Sequence, residues 1–403
     1  MTAGTTPIEE ECERYEAASP VAATTAGWPH VLLYTDSDAF AGTERHMLDL
    51  AIGLSTQEVG VGIACPVPSP LAQRAAARKI PVTAIPKRGM LDKEAIAVLR
   101  GLLTSNSVQI IHSHNGRTGM LAALAVWRAK RGRCVATQHF IDPSRSGRTG
   151  IKATVSKMIH RWVARHTDWF IAVSRAAERG MAQRGDARPG RVSVVANGIS
   201  DFDRAQLRSP AEVRKELGIA ENIPLIVCVA RLQPEKDVAT LIEAMAIVRQ
   251  HFPTAYCVVA GEGAEQKMLE SKIKQAGVSG AMRLLGFYAD AGSLIAASDV
   301  FVLPSVNEPF GLVLLEAMAL ARPVISTAAG GPLEIVEQDQ TGLLATPKRP
   351  LQLAAAIRKV LENPDLGRQF GRNGRLRFES HFTVDVMAAA TASIYRHIIE
   401  SDN

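Results

Sequence analysis

Val300-Phe-Val-Leu-Pro-Ser-Val-Asn-Glu-Pro-Phe-Gly-Leu-Val-Leu-Leu-Glu-Ala-Met-Ala-Leu320 holds two periodicities side by side. Its first four residues form a short apolar run of the kind a sheet buries on both faces. Polar and turn residues follow, then a helix-length apolar stretch, and then Pro323-Val-Ile-Ser326, a second strand-like run. A strand, a helical crossover and another strand make the parallel βαβ unit. Working toward the N-terminus, strand-like runs recur at 282–285, 255–260 and 224–230, and then at 192–195, 169–173, 135–137, 109–112, 81–85, 61–64 and 31–35. Helical stretches such as 43–54 and Gly116–Ala129 lie between them. The expected fold class is α/β, with two Rossmann-like doubly wound domains facing each other across a cleft at the carboxyl ends of their sheets.

The chain has 403 residues, enough for two such domains, and its 47% apolar and 21% charged content is that of a globular protein. No apolar run approaches the roughly 18 residues of a membrane span. Residues 1–27 carry five glutamates against one arginine, so they read as a disordered acidic tail rather than a signal peptide. A cytoplasmic location is expected. Cys12, Cys65, Cys134, Cys228 and Cys257 are dispersed with no C-x-x-C pair, which fits buried reduced thiols.

The opening stretch also carries chemistry. Glu308 and Glu316 lie eight positions apart, the first before Pro309 and the second inside the helix-length run. Pro309 is expected to open that helix, leaving the amides of Phe310, Gly311 and Leu312 as unpaired donors at its N-terminus. Carboxylates beside such donors suit the vicinal diols of a sugar nucleotide; by spacing alone, a helix cap and a surface charge would explain the pair equally well. Upstream, Val229-Ala-Arg-Leu-Gln-Pro-Glu-Lys-Asp237 ends another strand. There Arg231 and Lys236 would face the same cleft, as two cations suited to a diphosphate.

Arg231 and Lys236 at this spacing, together with the E-x7-E pair Glu308 and Glu316, resemble the retaining glycosyltransferases of family four, which have the GT-B fold. Further family-like pieces follow in order: Ala41-Gly-Thr-Glu44, Val173-Ser174, Asn197-Gly-Ile199, Gly261-Glu-Gly263, Gly330-Gly331 and Thr341-Gly-Leu343. There are two departures. Ala41-Gly42 stands where Gly-Gly is common, and Asp237 stands where a glycine usually follows the lysine.

The resemblance implies an N-terminal acceptor-side domain at 28–203, a nucleotide-sugar domain at 204–383, and a C-terminal helix over 384–403 that crosses back to the first domain. The polar segment 200–221 would be the hinge. Glu316 would bind the donor ribose, Arg231 and Lys236 the diphosphate, and Glu308 with the amides of Phe310 to Leu312 the donor sugar. Phe287 and Tyr288 would pack on the base, His114 would reach the transferring sugar, and Gly42 would let the first loop approach the phosphates. The implied reaction moves a hexosyl residue, with retention, from a UDP-, GDP- or ADP-sugar to an acceptor hydroxyl on a lipid-linked or cell-envelope glycan, with no cofactor and no metal. A GT-B epimerase or phosphorylase is the alternative, and a non-catalytic sugar-nucleotide-binding subunit a weaker third.

Other motifs are weighed against these. Asp36-Ser-Asp38 and Asp201-Phe-Asp203 have the D-x-D form that holds a metal on a diphosphate in another fold, but loop chemistry accounts for both. Gly261-Glu-Gly-Ala-Glu-Gln266 lacks the third glycine of a dinucleotide fingerprint. His112, His114 and His139 sit at strand ends, with no further ligand close in sequence; His112 is expected to serve the core and His139 the acceptor side. From Arg128 to Arg191 there are 15 lysines and arginines against four acids. Within that block Lys157, Arg161 and Arg165 share one helix face, and Ile151, Val155, Ile159, Trp162 and Val163 supply an apolar side. Peripheral contact with an anionic membrane through 145–165, on its inner face, is the expectation. Nucleic acid is not expected, because interleaved aromatics and recognition motifs are missing.

Overall fold

The computed structural model describes residues 30–141 and 151–401, with the side chains of the helix Ile151–His166 described from Met158 onward. The acidic stretch 1–27, Trp28, Cys12 and residues 142–150 of the basic block lie outside them. The chain divides into two compact units. One runs to Gly198 and resumes at Val384; the other is Ile199–Thr383.

The first unit holds strands β1 (Val31–Tyr34), β2 (Val61–Cys65), β3 (Val82–Ala84), β4 (Ile110–Ser113), β5 (Arg133–Gln138), β6 (Trp169–Ala172) and β7 (Val192–Val194). They form one sheet in the order 3-2-1-4-5-6-7, with every pair parallel. Alternate residues of β1 feed opposite faces. Val31 and Leu33 join a core with the helix Gly42–Thr56, whereas Leu32 and Tyr34 join one with Gly116–Ala129.

The C-terminal helix Val384–Glu400 completes the first of these cores with Met387, Tyr395 and Ile398. Each such buried side chain contributes about 1.5–3 kcal/mol. The helix lies so close to Gly42–Thr56 that a Cβ on Gly53 would stand 2.5 Å from Val384 Cγ1. The Tyr395 hydroxyl and His112 Nδ1 are 2.5 Å apart, while His112 Nε2 lies 2.7 Å from Thr137 Oγ1, so this buried ring is satisfied at both nitrogens.

The second unit holds β8 (Leu225–Val229), β9 (Tyr256–Ala260), β10 (Met282–Gly286), β11 (Val300–Leu303), β12 (Val324–Thr327) and β13 (Gly342–Ala345), ordered 10-9-8-11-12-13 and again parallel. The strand β13 was not anticipated as a strand. Its run is short and begins with a glycine, and it is recruited by the ladder with β12. Gly342 passes so near β12 that a Cβ there would lie 2.2 Å from the Val324 carbonyl oxygen.

Residues 200–221, expected as a hinge, are built into this second unit, which starts at Ile199 rather than at 204. Ile199 N donates to Phe382 O at 3.0 Å. The nearly buried Arg214, on the helix Pro210–Leu217, ties the segment down: it donates to Asp299 Oδ2 at 2.9 Å and to the Ile223 carbonyl at 2.8 Å.

Candidate active site

In a doubly wound sheet the crossovers on either side of the first strand go to opposite faces, which leaves a crevice at the carboxyl ends of that strand and its neighbour. In the second unit those strands are β8 and β11. The chain leaving β8 carries Arg231 and a short turn at Pro234–Lys236; the chain leaving β11 carries Ser305 and Glu308. The two loops are stitched together where Val306 N donates to Glu235 O at 2.9 Å. Lys236 Nζ lies 2.6 Å from Glu308 Oε2, and Ser305 Oγ donates to the same oxygen at 3.0 Å. Glu308 is buried and the Lys236 side chain is only 16% exposed. Removing one partner of such a pair leaves an uncompensated charge, at a cost of about 3–5 kcal/mol.

The lysine's position depends on its neighbours. Asp237 holds φ 46° and ψ 44°, in the left-handed region. Position 237 therefore calls for a residue that tolerates positive φ, a demand the aspartate meets with a local bond: Thr240 Oγ1 donates to Asp237 Oδ2 at 2.6 Å. Gly261 and Gly263, at the exit of β9, back the same loop. Cβ atoms there would stand 2.0 Å from the Ala230 oxygen and 2.2 Å from the Leu232 oxygen, so this motif serves close backbone approach.

The other second-unit candidates are distributed as follows. Arg231 is 64% exposed, with its guanidinium 3.1 Å from Glu235. Glu316 is half-buried, five residues into the helix Leu312–Ala319. That helix does not open at Pro309. Glu308 first bridges to Gly330, with Gly331 N donating to its carbonyl at 2.8 Å, and Phe310 is buried, its ring 6.1 Å from that of Phe382. The chain then turns at Gly311 (φ 108°), so Gly311 and Leu312 stand at the helix start and Phe310 lies just ahead of it. Phe287 follows β10 and is 75% exposed, whereas the Tyr288 hydroxyl accepts from Arg208 at 2.7 Å and donates to Glu216 at 3.2 Å.

The corresponding crevice of the first unit lies at β1 and β4. Gly42 is the exposed first residue of its helix. Ala41 before it is ordinary extended backbone (φ −132°), so the missing glycine costs nothing there. His114 directly follows β4 and is 1% exposed; its Nδ1 is 3.1 Å from Nε2 of the partly buried His139, which directly follows β5. His46, from the helix Gly42–Thr56, completes the group, its ring centroid 5.4 Å from His114 and 4.8 Å from His139. Burial depresses all of these rings: His46 to about 4, His112 to about 3, and His114 and His139 well below the usual range, with neighbouring rings adding to the effect for the last three. His46 was not singled out from sequence. Nothing in linear spacing relates 46 to 114 and 139; the parallel topology does.

Both D-x-D strings are engaged elsewhere. Asp36 pairs with Arg117 and accepts from Asn115 at 2.7 Å, and Asp38 lies 3.2 Å from Lys87. Asp201 takes two bonds from Arg375, while Asp203 caps a short turn. Cys65, Cys134, Cys228 and Cys257 are buried free thiols. Burial pushes Cys65 up to about 11, Cys134 and Cys228 up to about 12, and Cys257 well above the usual value, which suits packing rather than reactivity. On the basic helix Ile151–His166, Arg161 and Arg165 are exposed and Trp162 packs inward, but Ile159 faces outward (42% exposed) beside Met158. No helix among the described residues is long and apolar enough to cross a membrane.

Residues 40–201 match the family model described as Glycosyltransferase Family 4, and residues 210–377 match Glycosyl transferases group 1. EpsD of Bacillus subtilis strain 168, which carries a glycosyltransferase name, is 30% identical over 314 residues, covering 75% of this chain and 82% of EpsD. Glycogen synthase of Mycobacterium tuberculosis strain H37Rv is 31% identical over 292 residues, covering 71% and 68%. The crystal structure of Anabaena HepE in complex with UDP and glucose aligns with a TM-score of 0.77 at 25% identity, over 91% of this chain and 99% of HepE. With one model matched by each unit and the charged crevice built inside the second, the chain belongs to the group 1 glycosyltransferases of the family 4 type, with the GT-B fold.

Proposed function

We propose that the protein transfers a hexosyl residue, with retention, from a nucleoside-diphosphate sugar to a hydroxyl of a lipid-linked or cell-envelope glycan. The observation that carries this reading is the Lys236–Glu308 contact at the β8–β11 crevice, with Arg231 on the adjoining loop. An ammonium held by a buried carboxylate is pre-positioned, so a diphosphate entering the crevice meets a cation that needs no reorganisation. Lys236 and Arg231 would stabilise the charge that develops on the departing phosphate. Glu308 would orient the sugar and Glu316 the ribose, while the exposed Phe287 offers the base a stacking face. The leaving phosphate oxygen would take the acceptor's proton on the face it vacates, which preserves the anomeric configuration, and His114 would contact the transferring sugar. The HepE structures hold UDP with glucose and UDP-glucose, which supports a sugar nucleotide as donor here.

The charge distribution supports a surface-bound acceptor. Arg161 and Arg165 stand exposed near Met158 and Ile159, and Trp127 and Phe140 of the same unit are 55% and 47% exposed. Cations beside exposed apolar groups suit an anionic interface, each adding about 1 kcal/mol near the surface. The proposed working location is the inner face of the membrane.

The test is a panel of UDP-, GDP- and ADP-hexoses incubated with and without candidate acceptors in the presence of a chelator. A product with the donor's anomeric configuration is expected. Inverted product, sugar epimerised without acceptor, or a strict manganese requirement would each overturn the reading. For the membrane contact, sedimentation with anionic vesicles at low salt is expected; a protein that stays in the supernatant refutes it.

A further inference from the structure

His46, His114 and His139 present nitrogen atoms that all lie within 4.8 Å of one another. Among the described residues, neither nitrogen of His46 nor Nε2 of His114 has a hydrogen-bond partner, although both side chains are buried. Asn197 approaches His46 closely enough to favour its charged form slightly, yet Asn197 Oδ1 is itself buried without a partner. His112 provides the internal contrast: it is equally buried and its ring lies 4.3 Å from that of His114, but both of its nitrogens are satisfied. This part of the fold can satisfy a buried histidine, and at His46 it leaves both ring nitrogens, one N–H and one lone pair, without a partner instead.

Converging neutral imidazoles are a donor set for zinc and other borderline divalent cations. Ligand nitrogens at about 2.0–2.1 Å from a tetrahedral ion stand roughly 3.3 Å apart, and His114 Nδ1 and His139 Nε2, which share a hydrogen bond, are 3.1 Å apart. His46, on a different element, supplies the third corner, its ligand atom within 4.8 Å of the other two.

We propose that the first unit binds one zinc-class divalent cation through His46, His114 and His139. This site is separate from both D-x-D strings and from the crevice at Lys236 and Glu308, and it shares His114 with the proposed sugar contact.

The experiment uses the full-length, tag-free protein, stripped with a chelator and titrated with Zn²⁺ against a chromophoric zinc indicator, with Mg²⁺ as the control. The expected result is one equivalent of Zn²⁺ withdrawn from the indicator and no response to Mg²⁺. Co²⁺ loading is expected to give the d–d absorption of a tetrahedral nitrogen site without thiolate charge-transfer bands, which separates this site from the cysteines. His46→Gln and His139→Gln, each checked by circular dichroism, are expected to weaken binding at least about 10-fold; His139→Gln keeps the test open if His46→Gln fails to fold. No withdrawal of Zn²⁺ by the wild type, thiolate bands on Co²⁺ loading, or affinity unchanged in both variants would overturn the site. Activity is not the readout, so such a result would leave glycosyl transfer untouched.

Discussion

The β1–β4 and β8–β11 crevices are built on one backbone plan and carry opposite chemistry. Each lies where a parallel sheet reverses its strand order. At β8–β11 the loops bring a lysine to a buried glutamate; at β1–β4 they bring together three histidines that burial keeps neutral. Topology therefore chooses where a pocket forms, and the few residues just beyond the strand ends choose what it can hold. Fixed charge suits a diphosphate. Neutral nitrogens suit a sugar hydroxyl or a soft cation.

The largest effect expected from breaking this contrast is at the charged crevice. Lys236→Ala should lower kcat/KM by about 10²–10³, the usual loss when a pre-positioned electrostatic contact is removed, and Glu308→Ala should act mainly on kcat. Saturation kinetics with the preferred donor would check both; rates near wild type would show that the ion pair serves only the fold. Glu316→Ala comes next. Loss of a charged hydrogen bond worth about 1.5–3 kcal/mol should appear as a donor KM raised roughly 10-fold or more with kcat little changed.

The neutral crevice is sharpened by Tyr395→Phe, which removes the hydroxyl beside His112 Nδ1 and leaves a buried nitrogen unsatisfied. Denaturant unfolding should show a loss of about 1–3 kcal/mol. The smallest effect is expected at Asp237. Glycine there relieves the left-handed backbone but gives up the Thr240 bond and adds freedom to the unfolded chain, so Asp237→Gly should stay within about 1 kcal/mol of wild type. Asp237→Val, β-branched at the same φ, should lose about 1–2 kcal/mol. Equal melting temperatures for the two variants would show that the turn relaxes.

Much of this molecule was legible in its amino acids. Strands buried on both faces, such as Val31–Tyr34 and Val300–Leu303, advertise themselves as unbroken apolar runs, and the helices between them make the parallel arrangement nearly obligatory. Arg231, Lys236, Glu308 and Glu316 stood out as candidates because together they match a family pattern, whereas their spacing alone left a cap and a surface charge equally open. Less was legible at Gly342–Ala345, whose strand state comes from its partner β12, and at Pro309, where pairing of Glu308 with Gly330 overrides the proline's tendency to start a helix.

The sequence alone determined the fold class and pointed to the charged candidates around the β8–β11 crevice, because hydrophobic period and local spacing are properties of contiguous chain. Tertiary structure alone decided that Lys236 meets Glu308 across 72 positions, that 200–221 belongs to the second unit, and that His46 joins His114 and His139. Those contacts are set by strand order and by helices crossing to a given face of a sheet, and no local pattern encodes that geometry.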